Sequence, residues 1–156
     1  MKKSVIIVVL FLTLFVFVSG CVNTNTSDSD SSNVTKEFEN QWVKFEYPGN
    51  LNVVDNSQNN SIDILLINGK NRNDVKGEIQ NSVNNKTMMI NVNKQQNSTF
   101  ETIAGKEGLY YNDSSGMSAY IFLEGDKGLW IDFYDHSYWD AFVMVKNSII
   151  IKKIPS

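Results

Sequence analysis

The chain has 156 residues, which is enough for one domain with appendages but too short for two full domains. Its formal net charge is −3, whereas nucleic-acid-binding domains usually carry a basic surplus, so we expect no nucleic-acid partner. A hydrophobic content of 42% supports a folded core. The single cysteine and the single histidine exclude an internal disulfide and zinc clusters of several cysteines or histidines.

Residues 1–20 have the pattern of a lipoprotein signal peptide. Lys2 and Lys3 form a positive start, and an uncharged, mostly apolar run follows from Ser4 to Val18. This run is shorter than the roughly 20 residues that a membrane-spanning helix needs. It ends in Val18-Ser19-Gly20-Cys21, which resembles a lipobox, the motif whose cysteine receives diacylglycerol and becomes the new N-terminus. An ordinary secretory signal and an uncleaved anchor helix are the alternatives.

Cys21 is therefore the predicted lipidation site, and we expect no other cofactor. Two acyl chains would hold the protein on the outer face of the cytoplasmic membrane, in an extracytoplasmic location. Removal of residues 1–20 takes away two of the 14 basic residues and none of the 17 acidic ones, which leaves a net charge of −5. Residues 21–35 form the lipidated N-terminus and a linker that we expect to be disordered, because it is almost entirely Asn, Thr, Ser and Asp. Such a linker has a mean reach of roughly 20 Å.

Residues 36–156 form the predicted folded domain. Short apolar or alternating runs separated by turn residues predict strands. In chain order these strands are Trp42–Tyr47, Leu51–Val54, Ile62–Ile67, Met88–Val92, Phe100–Ile103, Leu109–Tyr111, Met117–Leu123, Leu129–Phe133 and Ile149–Ile151. Turns are predicted at 48–50, 68–69, 104–108, 112–116 and 124–128, where Gly, Pro, Asn and Asp gather.

A first helix is predicted over Asp74–Asn84. Val75, Ile79 and Val83 recur every fourth residue and form a narrow apolar stripe, and Asn73 is a suitable N-cap. Gly77 weakens this prediction by about 1 kcal/mol relative to alanine.

A second helix is predicted from Ser137 to Ser148. The pattern Ser137-x-x-Asp140 resembles a capping box, with Asp in place of the usual Glu. Trp139 and Phe142 follow at helical spacing and supply two bulky groups that can pack on a sheet. The order of strands, helix, strands, helix and closing strand predicts an α+β fold with an antiparallel sheet flanked by helices.

Three segments carry a resemblance to a known family. These are the opening Phe45-Glu46-Tyr47-Pro48, the middle segment Thr99–Gly108, and the ending that runs from Asp140-Ala141-Phe142 to Asn147-Ser148-Ile149. Together they resemble the PsbP-related proteins, especially the small secreted forms of methanogenic archaea. The resemblance covers about residues 38–152 and implies a PsbP-like α-β-α sandwich. It also implies an extracytoplasmic, membrane-associated accessory or binding module that is not an enzyme. The lipobox, the linker and the lack of a catalytic set lead us to expect an envelope protein as its partner.

The candidate metal ligands are Asp132, Asp135, His136 and Asp140, which lie within nine residues of one another. Carboxylates and one imidazole could hold a divalent cation such as Ca²⁺ or Mn²⁺. A small-ligand or divalent-cation binding protein that uses the Asp132–Asp140 region is thus the alternative function. The simpler interpretation is that Asp132 faces water and Asp140 caps a helix, where the helix dipole favours negative charge.

Catalytic chemistry has little support in the sequence. His136 and Ser137 are adjacent, so their side chains diverge, and no Gly-x-Ser-x-Gly elbow is present. Glu101, Glu107 and Glu124 offer carboxylates for glycoside hydrolysis but no evident cleft. We therefore predict no catalytic residues.

Aromatic residues gather near the predicted second helix and could either fill the core or stack on a sugar or peptide. They are Trp130, Tyr134, Tyr138 and Trp139; Tyr110 and Tyr111 are adjacent on a predicted strand, so one of the two should face outward. Candidate N-glycosylation acceptors in Asn-x-Ser/Thr sequences are Asn25, Asn33, Asn59, Asn85, Asn97 and Asn112.

Overall fold

The computed structural model describes residues 34–83, 86–93 and 98–155. The predicted signal peptide at 1–20, the lipidation site Cys21 and nearly all of the predicted linker lie outside the described residues. The first described strand begins at Thr35, one residue before the predicted start of the domain.

The described chain is built mainly of β-strands. In order, its elements are β1 (Thr35–Glu39), β2 (Val43–Pro48), β3 (Leu51–Asp55), β4 (Asp63–Asn68), β5 (Val75–Val83), α1 (Lys86–Asn93), β6 (Thr99–Ile103), β7 (Lys106–Asp113), β8 (Gly116–Phe122), β9 (Lys127–Phe133), α2 (Trp139–Ser148) and β10 (Ile150–Ile151). A single 3₁₀ turn, His136–Tyr138, leads into α2.

The strands form two antiparallel sheets. Strand β2 lies between β1 and β10 in a three-stranded sheet. The other seven strands follow the order β3-β4-β5-β9-β8-β7-β6. The long central strand β5 pairs with β4 on one side and with β9 on the other. This register determines which side chains share a face, since alternate residues of a strand point to opposite faces.

The main core lies on one face of the seven-stranded sheet, which we call the inner face. Met117, Ala119 and Ile121 of β8 point into it and are fully buried. The three-stranded sheet and α2 cover this face, with Phe45 of β2 and Phe142 of α2 among the buried residues. Phe142 packs its ring against that of Phe133 with centroids 5.9 Å apart.

A smaller cluster covers part of the opposite, outer face. Tyr120 and Phe122, which alternate with the inner residues of β8, are buried there with Leu109 of β7. Met89 of α1 joins this cluster, so α1 packs on the outer face while α2 packs on the inner one.

Several sequence-based predictions are confirmed. The strand predicted at Trp42–Tyr47 is β2, and its three alternating residues Val43, Phe45 and Tyr47 are buried as the pattern indicated. The hairpin predicted from Met117 to Phe133 is formed by β8 and β9. The other strands predicted around 51–54, 62–67, 100–103, 109–111 and 149–151 correspond to β3, β4, β6, β7 and β10.

The helix predicted over Asp74–Asn84 is wrong, because Val75–Val83 forms strand β5. A spacing of four residues keeps side chains on one face of a strand as well as of a helix, so the apolar stripe fitted both. Gly77 and Ile79 are buried on the inner face, and pairing with strands on both sides satisfies the backbone. The contacts with β4 and β9 therefore decide the structure here.

The strand predicted at Met88–Val92 is also wrong, because Lys86–Asn93 forms helix α1. A short apolar run is ambiguous between strand and helix when only its hydrophobicity is considered. In the helix, Met89 reaches the outer-face cluster and Ile90 is partly buried against it.

The antiparallel α+β class is thus found, with few helices. The two described α-helices have 8 and 10 residues, so each flanks only a part of the large sheet. Within the described ranges, none of the helices is both long and apolar enough to cross a membrane.

Candidate binding surface

Asp132 lies on the outer face of β9, between the buried inner-face residues Ile131 and Phe133. The hydroxyl of Ser118 on the neighbouring strand donates a hydrogen bond to its carboxylate. Burial raises the pKa of Asp132, and the charge of Glu78 acts in the same direction. The carboxyl group is therefore half-buried and hydrogen-bonded within the sheet, in a different environment from the simple water-facing position that alternation suggested.

Asp135 has a clear structural role as the cap of the 3₁₀ turn. Its side chain accepts a hydrogen bond from the backbone N–H of Ser137 at 2.9 Å, and this bond lowers the pKa of Asp135. The predicted capping box at Ser137 is therefore wrong: the capping side chain belongs to the residue two positions earlier. Helix α2 itself begins after Tyr138, which makes no side-chain cap. Asp140 lies exposed in the first turn of α2, where the dipole favours its charge.

His136 contacts the end of β7 through its side chain. Its Nε2 atom lies 2.6 Å from Oδ1 of Asn112. Asp113 is close enough for the charges of the two side chains to interact, and the hydrogen bonds from Ser115 hold its pKa low. Asn112 lies 24 residues before His136 in the chain and Asp113 follows Asn112, so local spacing did not associate them with it.

The four predicted metal ligands are not brought together. Over residues 34–83, 86–93 and 98–155, no group of three or more His, Cys, Asp or Glu side chains has a geometry that could hold a metal ion. The side chains have different partners. Asp132 lies on the outer face and accepts a hydrogen bond from Ser118. Asp135 accepts one from the backbone of Ser137, and His136 contacts Asn112.

An aromatic cluster joins α2 to the inner face of β7. The ring of Tyr110 packs against Trp139 in a T-shaped contact at 6.2 Å and against Phe142 at 5.8 Å. The ammonium group of Lys146 lies 5.3 Å from the centre of the Tyr110 ring and 2.6 Å from a carboxylate oxygen of Glu101. Trp139 is the exposed member of this aromatic cluster, at 41%. Its side chain has both an apolar ring and a polar N–H group, so the exposed part is amphipathic.

The outer face carries a polar row next to Asp132. Tyr111 contacts Trp130 edge-on at 6.1 Å and hydrogen-bonds Ser118. Tyr134 follows β9 and is 50% exposed. Partial burial of its hydroxyl and a hydrogen bond to Glu78 raise the pKa of Tyr134 far above its usual value. Both tyrosines therefore stay protonated at neutral pH and can donate hydrogen bonds.

The predicted aromatic gathering is thus divided between the two faces. Trp130 lies on the outer face and is half-buried, whereas Trp139 lies on α2 above the inner face. Tyr138 is half-buried beneath the ammonium group of Lys76, which lies 5.6 Å from the ring centre. Tyr110 and Tyr111 point to opposite faces, as alternation requires, and both are partly covered.

Two of the six candidate glycosylation acceptors are described. Asn59 lies exposed in the tight turn between β3 and β4. Asn112 is exposed too, but its amide contacts His136 and hydrogen-bonds Tyr110. The other four, Asn25, Asn33, Asn85 and Asn97, lie outside the described residues.

The candidate binding surface is formed by the exposed residues of this region together with the half-buried Tyr110. We define it as Tyr110, Asn112, Asp113, Tyr134, Asp135, His136 and Trp139. It combines two exposed aromatic groups with amide, imidazole and carboxylate groups, a composition suited to recognition by stacking and hydrogen bonding. The sequence indicated Tyr134, Asp135, His136 and Trp139. It named Tyr110 only as one of two tyrosines of which one should face outward and Asn112 only as a glycosylation acceptor, and it missed Asp113.

No family model matches the chain. No curated protein matches it either. Among solved structures, the chain is similar to the solution structure of cyanobacterial PsbP (CyanoP) from Synechocystis sp. PCC 6803, with 13% sequence identity and a TM-score of 0.44. The similarity covers 85% of this chain and 99% of that one. The resemblance to PsbP-related proteins that the sequence indicated therefore has a counterpart among solved structures, and this counterpart is a likeness of fold alone.

Proposed function

We propose that this chain is a lipoprotein anchored at Cys21 to the outer face of the cytoplasmic membrane. In this proposal its PsbP-like domain is a non-enzymatic binding or accessory module for an envelope protein. The observation that carries the proposal is Val18-Ser19-Gly20-Cys21, because the only cysteine of the chain stands where a lipobox requires it, directly after an apolar signal-like run.

The position of the folded domain supports this proposal. Secondary structure begins at Thr35, so residues 22–34 can serve as a spacer between the lipid and the domain. A flexible chain of this length spans roughly 20 Å on average, which would keep the domain close to the bilayer.

The contacts of the acidic side chains support a role in binding rather than in catalysis. Glu101 pairs with Lys146, and Glu107 pairs with Lys86, so two of the three glutamates considered for glycoside hydrolysis are engaged by cations. The carboxylate of Asp132 is engaged by Ser118.

The placement of the helices fits the finer fold that we propose for this module, a PsbP-like α-β-α sandwich. Helix α1 packs on the outer face of the large sheet through Met89, and helix α2 packs on the inner face through Phe142. Each helix is short, so the layers on the two sides are incomplete.

The experiment that tests the proposal is the mass of the mature N-terminus. The full chain is produced in a prokaryote with lipoprotein processing, and the membrane fraction is analysed by mass spectrometry. We expect an N-terminal cysteine that carries a diacylglyceryl group. Replacement Cys21→Ser should abolish both the lipid adduct and cleavage before position 21, whereas Ser19→Ala keeps a small residue before the cysteine and should leave processing intact.

Full-length protein with an unmodified Cys21 would contradict the proposal. The same holds if the parent chain and the Cys21→Ser variant have the same N-terminal processing, because cleavage would then not depend on the cysteine.

A further inference from the structure

Several turns of the large sheet lie together at one of its two ends. Strand β3 begins at Leu51, opposite the last residue of β4, and β9 ends at Phe133, opposite the start of β8. The turns at 49–50, 69–74 and 114–115 and the connection at 134–138 therefore lie at one end of the sheet. We call this end the tether end.

The spacer joins the domain at this same end. The backbone N–H of Gly49 donates a hydrogen bond to the carbonyl of Val34, which places the first described residue beside the β2–β3 turn. A groove of about 350 Å³ connects this turn to the beginning of α2. Its lining residues are Pro48, Asn50, Ser137, Tyr138, Asp140 and Ala141. The start of α2 is thus adjacent to the point where the spacer enters.

Two exposed aromatic side chains flank this position. Tyr134 and Trp139 are 50% and 41% exposed, and they stand at either side of the 3₁₀ turn that leads into α2. Tyrosine and tryptophan are the residues that settle at the headgroup level of a bilayer, because each has an apolar ring and a polar hydrogen-bonding group.

The charges of the tether end are of both signs. Asp135 and Asp140 are exposed beside the aromatic residues, while Lys70 and Arg72 are exposed in the β4–β5 turn. Asp113 is exposed in the β7–β8 hairpin. A strongly anionic surface would attract the two cations and repel the three carboxylates, so contact with a zwitterionic surface is favoured.

We propose that the tether end rests on the phospholipid headgroups of the membrane that carries the anchor, with Trp139 and Tyr134 at the headgroup level. This inference rests on the proposed lipid anchor. A spacer that leaves from this end and reaches roughly 20 Å holds the aromatic residues within contact distance of the lipid. Binding of the aromatic rings then needs no large affinity, because the anchor makes it an intramolecular event.

The test uses the mature chain from Cys21 onward, coupled through its only thiol to a maleimide lipid in phosphatidylcholine vesicles. The acyl chains carry bromine close to the headgroups, where it quenches tryptophan by contact. Trp42 is buried in the core and Trp130 is half-buried, so Trp139 is the most exposed of the three indoles. We expect a loss of emission in brominated vesicles compared with unbrominated ones, and no such loss for Trp139→Phe.

Two further measurements make the result independent of this variant. Aqueous iodide should quench Trp139 in the uncoupled chain and should quench it less after coupling. A spacer lengthened by about 40 Gly and Ser residues between positions 33 and 34 should weaken the brominated-lipid quenching, since the mean reach of the spacer, and with it the mean distance of the domain from the surface, rises about twofold.

Equal emission in brominated and unbrominated vesicles would overturn the inference and would favour a protein partner for this surface. The same applies if quenching persists in the Trp139→Phe chain. In this test the lipid is attached to Cys21 chemically, so a negative result overturns the headgroup contact and leaves the proposed lipoprotein function intact. The lipoprotein function is tested separately, and it fails if cells do not lipidate Cys21.

Discussion

Replacement Gly77→Ala has opposite expected effects in the two structures that the sequence of this segment allows. In a helix over Asp74–Asn84, alanine would stabilise the protein by about 1 kcal/mol relative to glycine. In strand β5, Gly77 lies opposite Phe133, whose ring covers it. A Cβ atom at position 77 would stand 2.8 Å from the carbonyl oxygen of Asp132 and equally close to two ring carbons of Phe133.

The structure indicates the size of this effect. The ring of Phe133 cannot move freely, because its other side packs against Phe142 at 5.9 Å. The backbone of Asp132 is held by pairing with strands on both sides. An added methyl group therefore overpacks the site, and overpacking of a core typically costs about 1–3 kcal/mol.

Urea denaturation followed by tryptophan fluorescence measures the change in the free energy of unfolding. We expect Gly77→Ala to unfold at lower urea with an unchanged slope. Gly69→Ala is the control, since the turn at this position is common to the sequence prediction and the structure. No atom lies within 4 Å of its Cβ, and its φ of 62° should cost about 1–2 kcal/mol. A Gly77→Ala protein that is more stable than the parent would refute strand β5.

Two further predictions concern the core and the half-buried acid. Phe142→Ala should lower the free energy of unfolding by about 3–5 kcal/mol in the same assay, because the side chain is fully buried between Phe133 and Tyr110. A loss below about 1 kcal/mol would show that α2 does not pack against the inner face of the sheet. The pKa of Asp132 is raised in the folded protein, so ionisation of its carboxyl group disfavours folding. The free energy of unfolding should therefore fall as the pH rises from the pKa of Asp in an unfolded chain, about 3.9, through the higher pKa in the folded protein. Asp132→Asn keeps an acceptor for Ser118 and should be more stable than the parent at pH 7, with no gain near pH 3; an equal change at both values would contradict the role of its charge.

The strands with strict alternation could be predicted because alternation has no helical counterpart. Val43, Phe45 and Tyr47 are an example, and all three are buried in β2. The hairpin of β8 and β9 was equally clear, since two apolar runs flank a five-residue loop with two glycines. In such segments, local sequence and tertiary packing favour the same structure.

Strand β1 and helix α1 could not be predicted because their own residues specify little. Thr35–Glu39 contains one aromatic residue, Phe38, which becomes partly buried only when it packs against Phe45 at 5.2 Å. The run at 88–92 is apolar enough for either structure, and Met89 is buried only because Tyr120 and Leu109 present a surface to it.

The candidate binding surface shows that residues close together in the chain need not share a site, while residues far apart in the chain can. Asp132, Asp135 and His136 are close in the chain, but β9 ends between the first and the second of them, so their side chains leave in different directions. Asn112 and Asp113 reach His136 from the end of β7, which the register of β7 with β8 and of β8 with β9 places beside it. Long-range strand pairing, rather than proximity in the chain, therefore assembles this surface, and the same pairing places it at the end of the sheet where Val34 lies beside Gly49.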